Sequence, residues 1–482
     1  MGERFPGKSV AIIEGRDALG GTWDLFRYPG VRSDSDIFTL GYSFKPWKGR
    51  RSIVGGPAIL DYLRETAREH GIARRIRFGH RLTRAAWDSD SGAWTVEISR
   101  NHGQPPQTLR CKFLFMCTGY YSYAQAHRPD FAGEAEFEGR IVHPQFWPAD
   151  LDFRGKRVVV VGSGATAVTL VPAMAGAAAG VTMLQRSPTW MVSRASRDWL
   201  SNALRAVLPA RLGYRIARGK FIARDMFFYQ LATRLPRLAG GLLLCLLRWD
   251  LGPRANIARD FTPRYPPWDQ RLCLVPDGDL FDCLKEGSAC IETGVIERIT
   301  ATGIRLQSGK ELPADIIVTA TGLEMELMGG VELVVDGAPV RLSETMAYKG
   351  CMYSDIPNLA SCFGYSNASW TLKAELICNF VCRVIGELDA TGARYCVPRA
   401  VGVSTGPGSL LNLKSGYVSR ALARLPKQGG SAPWKSLHNY FLDSWLLRFG
   451  RLDDGALQFI RQDAPGGPGI QAAPAPPSTS AT

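Results

Sequence analysis

What this chain has little of narrows it first. No apolar run reaches membrane-spanning length; the longest, Leu238–Leu247, is too short and is bounded by Arg237 and Arg248. Met1–Pro6 carries no apolar core of a signal peptide, so a cytoplasmic setting is expected. Eleven cysteines and six histidines fall into no CxxC or zinc-type spacing. That argues against a disulfide framework or a metal site and for reduced thiols. Cys378 and Cys382 share a helix face, where buried small hydrophobes are expected. Acids are short too: 44 Asp/Glu face 58 Lys/Arg, a net charge of +14. The deficit is concentrated between Arg194 and Arg264, with fourteen Lys/Arg against four Asp/Glu. Such an excess suits nucleic acid, an anionic membrane surface or solubility alone. No nucleic-acid motif accompanies it, so nucleic acid is not an expected partner. With 482 residues, about two or three domains are expected.

A further absence bears on function. Ser9–Glu14 is a short β-branched run ending in an acid, the pattern of the second strand of a Rossmann unit, whose terminal carboxylate accepts from a ribose hydroxyl. The matching G-x-G-x-x-G turn belongs roughly 20 residues upstream. Counting back from Glu14 runs past Met1. On this strand alone, an edge strand ending in a surface Glu is the preferred reading.

What is there changes the balance. Gly20-Gly21-Thr22-Trp23, Tyr28-Pro29-Gly30 and Arg32-Ser33-Asp34 follow; glycines let backbone approach a flat ring closely. A helix is expected over Leu60–His70 and an exposed strand over Trp94–Ile98. Phe113–Gly119 reads as a buried strand ending in Thr-Gly, and Ile316–Gly322 repeats it, which suggests two nucleotide domains of similar build. Arg157–Val161 then enters Gly162-Ser163-Gly164-Ala165-Thr166-Ala167 and an apolar helix. Gly162 permits the tight turn, Gly164 lets a pyrophosphate reach the helix N-terminus, and Ala167 allows close helix–strand packing. The next strand, Val181–Leu184, ends in Gln185-Arg186, and an Arg there favours NADP over NAD. Residues 194–264, interrupted by Pro209, Pro236 and Pro253, read as two to four inserted helices. Leu242–Leu247 beside Arg248 could dip into a membrane interface. The reading preferred by a small margin is a helix buried against its own domain with a solvated basic face. Tyr265–Leu272 is a Pro/Trp-stiffened loop around Arg271, Leu372–Leu388 reads as a helix, and the Pro/Ala/Ser/Gly-rich 464–482 segment as disordered.

Phe137-x-Gly139-x-x-x-His143-x-x-x-Trp147-Pro148 matches the signature of type I Baeyer–Villiger monooxygenases at every fixed position. Gly20–Gly30, Gly162–Val168, Gln185–Thr189, Trp268–Leu272 and Asn367–Lys373 resemble one branch of that family, the ethionamide-activating monooxygenases. The resemblance runs from about residue 1 to about 463. It implies an α/β fold of two Rossmann-like dinucleotide-binding domains with a helical insert: 1–150 and 346–463 for FAD, 151–193 and 265–345 for NADP, 194–264 for the insert. It also implies roles. Glu14 would bind the FAD ribose, and Gly20, Gly21, Thr22 and Trp23 would line the flavin. Asp34 and Arg271 would face each other at the flavin ring as the catalytic pair. Gly162, Ser163, Gly164, Ala165, Thr166, Ala167, Arg186 and Ser187 would hold NADP. Phe137, Gly139, His143, Trp147 and Pro148 would couple the domains rather than make bonds.

The implied activity is an NADPH- and FAD-dependent insertion of one oxygen atom of O2 through a C4a-peroxyflavin. It would act on a small hydrophobic ketone, giving an ester, or on a sulfur compound. Family members begin with a strand and a G-x-G-x-x-G turn, so the expectation is that the first FAD strand and turn are missing, that Met1 falls in the helix after them, and that flavin binding by the chain as written is weak. Two alternatives remain open at this point: a truncated, inactive paralogue that binds NADP but not FAD, and a non-enzymatic membrane-surface protein using the basic insert.

Overall fold

The first hundred residues hold a short parallel pair, one long helix and two long antiparallel strands. The structure, a computed structural model, describes residues 1–461 apart from 254, 408, 409 and 412; the segment expected to be disordered lies outside the described residues. Met1–Lys8 forms turns, not the expected helix. Arg4 and Lys8 hold these turns against Asn379 and Asp389. Of Ser9–Glu14, Ile12–Ile13 is strand, and it pairs in parallel with Ile76–Arg77. Helix α1 (Gly56–Glu69) connects them, with Pro57 in its first turn. Leu114–Met116 pairs in parallel with Leu359–Ser361. No ladder joins these two pairs among the described residues.

Trp94–Ile98 does not form the expected exposed strand. It lies inside Ala93–Arg100, flanked by His80–Asp88 and Gln107–Cys111 in a five-stranded sheet. Trp94, Val96 and Ile98 are buried while Glu97 points out. The alternation is real, but Tyr353, Leu359 and Leu410 return from far along the chain to cover its apolar face.

Val158–Val161 is buried along its length, as a strand covered on both faces must be. It sits inside a five-stranded parallel sheet, ordered Ala289–Thr293, Gly180–Gln185, Arg157–Val161, Ile316–Thr319, Arg140–Val142. Helix α2 (Ala165–Ala175) follows the glycine turn. Two strands fall across the boundaries expected at 150 and 345, both of which shift toward the N-terminus. Arg140–Val142 belongs to the parallel sheet, and Glu332–Val335 pairs with His80–Asp88 on the other side. The reason is that the two connecting segments pair with each other, Tyr121–Ala126 against Leu323–Met325, so the chain crosses over there.

The insert holds α3 (Trp199–Val207), α4 (Ala210–Arg234), α5 (Pro236–Leu251) and a last turn at Ile257–Asp260. The leucine-rich helix is buried against its own domain and exposes Arg237 and Arg248 as preferred, but its outward face also carries apolar side chains. On α5, Ala239, Gly240, Leu247 and Leu251 face inward, while Leu238, Leu242, Leu246 and Trp249 are exposed. Gly240 lets the first half of the helix approach closely, since a Cβ there would meet Trp190 at 3.2 Å, while Leu247 and Leu251 pack on the domain further along.

Helix α6 (Trp370–Thr391) spans the C-terminal core and meets α7 (Tyr440–Phe449) through a buried Lys373–Asp443 ion pair of 2.9 Å. His438, just before α7, is buried and its pKa lowered to about 4, by burial first and by Lys373 second. The unfolded chain takes up that proton near its ordinary value of about 6.5, so stability falls as pH drops from there toward 4. Thermal melts across this window should show a loss of up to about 3 kcal/mol, and His438→Gln should flatten the slope. An unchanged slope in the variant would refute the assignment.

Candidate active site

Two loops meet at the junction of the halves. The first is Tyr28–Asp34. Gly30 has φ 74°, and a Cβ on it would lie 2.7 Å from the Ala173 Cβ, so only glycine lets the loop rest on α2. Tyr28 reaches Thr166 in the first turn of α2; burial pushes its phenol up to about 12. Arg32 pairs with Asp279. These contacts fix the loop on the nucleotide unit and deliver Asp34 to its edge.

The second is Tyr265–Leu272. Trp268 has φ 71°, and Asp269 is held by Lys414 through its carbonyl at 2.8 Å and its carboxylate at 3.0 Å. The loop carries Arg271, whose Nη1 lies 3.1 Å from Asp34 Oδ2. Asp34 raises the pKa of the guanidinium against the opposing effect of burial, so the cation is fixed. Protein surrounds it, yet its side chain keeps 38% exposure: it sits at the base of a cleft, not in a closed core.

Sequence reasoning missed the phenols beside it. Burial raises the phenols of Tyr120 and Tyr121, which stay neutral and, with Tyr417, form an aromatic wall beside Arg271. The Tyr121 hydroxyl donates to Tyr120 at 3.2 Å, and Trp370 stands 5.0 Å from the Tyr120 ring. The signal was available: Tyr120-Tyr121 directly follows the first Thr118-Gly119 strand end. Cys273 is close by, its thiol pushed up to about 12 by burial and then by Asp34, which excludes a thiolate nucleophile.

At the glycine turn Gly162 has φ 143°, and a Cβ would lie 2.4 Å from the Ala320 carbonyl. Ser163 ties the turn to the Ser187 carbonyl at 3.1 Å and to Thr189 at 2.8 Å. Nothing lies within 4 Å of a Cβ on Gly164, and Ala167 is fully buried. The helix N-terminus at Ala165 and Thr166 is therefore open to an anion. Arg186 is exposed beside it, while Gln185 turns inward to the Asp260 carbonyl.

Across the cleft Glu14 closes its strand and accepts from the Arg16 amide at 2.9 Å. Gly20 (φ 129°) and Gly21 (φ 54°) lead into Thr22, whose hydroxyl lies 3.3 Å from Tyr123 OH. Trp23 is half-buried and borders a 730 Å³ cavity with Arg27, Arg32 and Arg64, which does not include Asp34 or Arg271. At the end of Leu114–Met116, Cys117 and Thr118 are exposed, and Gly119 has no atom within 4 Å of a Cβ. Gly164 and the unobstructed helix N-terminus at Ala165 fit one dinucleotide; for a second, the described residues offer the strand-end carboxylate of Glu14 and the open Gly119. A second cavity, of 540 Å³, borders the Arg271 loop and is lined by Tyr229, Thr233, Pro236, Trp268, Leu413 and Leu422.

The Phe137–Pro148 motif spans this junction. A Cβ on Gly139 would lie 2.3 Å from the Asp315 carbonyl, which lets Arg140–Val142 join the parallel sheet. Phe137 packs beneath the sheet, Trp147 packs against the core on its other side, and Pro148 accepts from the Leu151 amide at 3.3 Å. His143 Nδ1 accepts from the Gln145 amide at 3.1 Å, so Nε2 carries the proton and donates to the Gly322 carbonyl at 3.2 Å. Burial lowers its pKa, which keeps this neutral tautomer. The motif thus grips the second Thr-Gly turn, and the Gln145 amide reaches the Ser122 carbonyl at 2.9 Å, next to the first.

Comparison with known proteins gives a consistent set. Residues 52–220 match the model of a family described as flavin-binding monooxygenase-like. The FAD-containing monooxygenase EthA of Mycobacterium tuberculosis (strain ATCC 25618 / H37Rv) is 49% identical over 466 residues, 96% of this chain and 95% of EthA. The probable FAD-binding monooxygenase AlmA of Acinetobacter baylyi is 46% identical over 459 residues, 95% of this chain and 92% of AlmA. In fold, the chain is like an oxidized steroid monooxygenase bound to NADP, with a TM-score of 0.75, 22% identity and coverage of 95% and 96% of the two chains.

Proposed function

Because the chain belongs to the FAD-containing, flavin-binding monooxygenase family, we propose that it oxygenates small hydrophobic ketones or sulfur compounds, with Asp34 and Arg271 at the reacting end of the cleft. The protein is an NADPH-dependent flavin monooxygenase that uses FAD and O2. Bound FAD, reduced by NADPH, supplies the activation of dioxygen. The rest falls to side chains. Gly20, Gly21, Thr22 and Trp23 would line the flavin, and Glu14 would take its ribose. Gly162–Ala167 takes the NADP pyrophosphate, with Arg186 and Ser187 at the 2′-phosphate. Arg271 holds negative charge at the reacting oxygen with a guanidinium that stays charged throughout. Asp34 orients that guanidinium. Tyr120, Tyr121 and Tyr417 keep bulk water from one side of it.

One observation carries this reading: a fixed, partly exposed Arg271–Asp34 pair of 3.1 Å where the Tyr28–Asp34 and Tyr265–Leu272 loops meet. The alternatives of an inactive paralogue and a non-enzymatic surface protein find no support in relatives that are themselves named monooxygenases. The test is turnover of the FAD-loaded protein with NADPH and a hydrophobic ketone or sulfide under ¹⁸O2. One labelled oxygen per product supports the reading; NADPH consumption that yields only hydrogen peroxide overturns it.

Arg186 makes a second, separable prediction. Arg186→Ala should raise KM for NADPH about 10–100-fold, the worth of a charge-assisted contact, and leave KM for NADH unchanged. Equal effects on both nucleotides would remove Arg186 from the 2′-phosphate site. No helix among the described residues is long and apolar enough to cross a membrane. A cytoplasmic location with peripheral membrane association completes the proposal.

A further inference from the structure

We propose that the outward faces of α3, α4, α5 and α7 form a platform that docks this protein on an anionic lipid bilayer, from which an apolar substrate passes into the 540 Å³ cavity; that the passenger is apolar rests on the oxygenase reading above. The outward stripes are the wrong chemistry for water. On α4, Leu212, Ile216 and Phe227 are exposed at helical spacing, while Tyr214 and Phe221 fill the inward face. On α5 the exposed stripe ends in Trp249, 88% accessible. Trp199 and Val207 on α3 and Trp445 and Phe449 on α7 are exposed too. These helices are neighbours: α4 packs on α3 and α5, and Ile222 and Met226 of α4 meet Tyr440 at the start of α7. Scattered exposed leucines are ordinary; here most of the exposed large aromatics gather on four adjoining helices, with Phe44 and Phe146 the exceptions, and such a cluster marks an interface.

Charge selects the occupant. Arg211, Arg215, Arg234, Arg237, Arg248 and Arg448 are exposed along these helices. Every acid at the same elements is at least partly buried: Asp198 pairs with Lys220, Asp225 with Arg224, Asp443 with Lys373, and Asp250 is half-covered. A second copy using the same face would set arginine against arginine, with no exposed acid to pair. An anionic lipid surface meets both features, attracting the arginines and taking up the tryptophans at headgroup depth.

The platform also adjoins the route to the site. Leu235 and Leu238, 52% and 61% exposed, flank Pro236 at the α4–α5 junction. Pro236 lines the cavity with Tyr229 and Thr233, and Trp268, whose ring stands 5.7 Å from that of Tyr229, is three residues from Arg271 in sequence. An apolar molecule leaving the bilayer at this junction need not cross water.

Flotation of the FAD-loaded protein with vesicles, without NADPH or substrate, tests docking separately from catalysis. Vesicles of phosphatidylcholine with phosphatidylglycerol should bind it, phosphatidylcholine alone weakly, and added salt should release it. The double variant Trp249→Ser, Phe449→Ser should lower binding at least about tenfold, with an unchanged melting temperature and flavin content. Arg237→Gln with Arg248→Gln should reduce the preference for phosphatidylglycerol. Absent binding, or equal binding by all variants, overturns the proposal. So does a dimer in sedimentation that the Trp249→Ser, Phe449→Ser variant turns into monomer without any vesicle effect, which would make the face a contact between copies. A protein that floats with vesicles but transfers no ¹⁸O sinks the oxygenase reading alone; one that transfers ¹⁸O and ignores vesicles sinks docking alone.

Discussion

Arg271→Ala should lose oxygen transfer by about 10²–10³-fold while NADPH oxidation continues, because removing one preorganised donor to a developing oxyanion costs that much. The size follows from how Arg271 is held. Its charge is locked by Asp34 at 3.1 Å, and its loop is pinned by Lys414 on Asp269. No reorganisation is needed when charge develops beside it. Lysine at the same position keeps the charge but not the planar fork that meets Asp34 and the reacting oxygen together. Arg271→Lys should therefore recover only part of the loss, and Asp34→Ala should give a smaller one by freeing the guanidinium. The measurement is product formed per NADPH consumed, with hydrogen peroxide counted alongside. A variant that loses NADPH oxidation and product in equal measure would place Arg271 in nucleotide binding instead.

The second large effect concerns stability. Lys373 and Asp443 are 5% and 3% exposed and 2.9 Å apart, and Tyr365 donates to Asp443 at 2.7 Å. Lys373→Met leaves a buried carboxylate without its cation, which costs about 3–5 kcal/mol. Removing both charges, as in Lys373→Met with Asp443→Leu, should recover most of that, since the penalty lies in the unpaired charge rather than in the pair's absence. Denaturant unfolding of the two variants decides it. A single variant within about 1 kcal/mol of the parent would show that the pair contributes little. The pair joins α6 to α7, so the same variant should loosen the helix that presents Trp445 and Phe449.

How much of this was legible depends on distance along the chain. The Gly162 turn is local: strand, glycines and helix adjoin, and both the strained φ and the free Gly164 follow from residue type. Glu14 ends a strand as expected, though only Ile12–Ile13 of it forms. Asp34 and Arg271 lie far apart in sequence, and nothing in either loop alone names the other; the resemblance paired them. Lys373 belongs to a motif visible in the sequence, but its partner lies beyond a long helix and a loop, so the ion pair could not be read. The insert fails differently. Helical periodicity in Leu238–Trp249 reveals a stripe, but not which side meets the body; Gly240 against Trp190 settles that, and it leaves Leu238, Leu242 and Leu246 outward and Leu247 inward. Trp94–Ile98 shows the converse, a readable alternation whose cover comes from residues beyond 350.

The crossed connectivity of the two halves also orders events during synthesis. All strands of the parallel sheet lie between Arg140 and Thr319, so that unit can close while the ribosome is still translating the remainder. Leu114–Met116 cannot pair until Leu359–Ser361 emerges, and the bond between Lys112 and Asn358 that anchors this ladder spans 246 residues. At typical elongation rates that is a wait of roughly 10–50 s. For that interval Leu114-Phe115-Met116 is an unpaired apolar edge, the kind of segment that nucleates aggregation. Yield of active protein should therefore respond to slower translation and to chaperone supply more than its final stability would suggest, with the flavin half the last part of the nascent chain to mature.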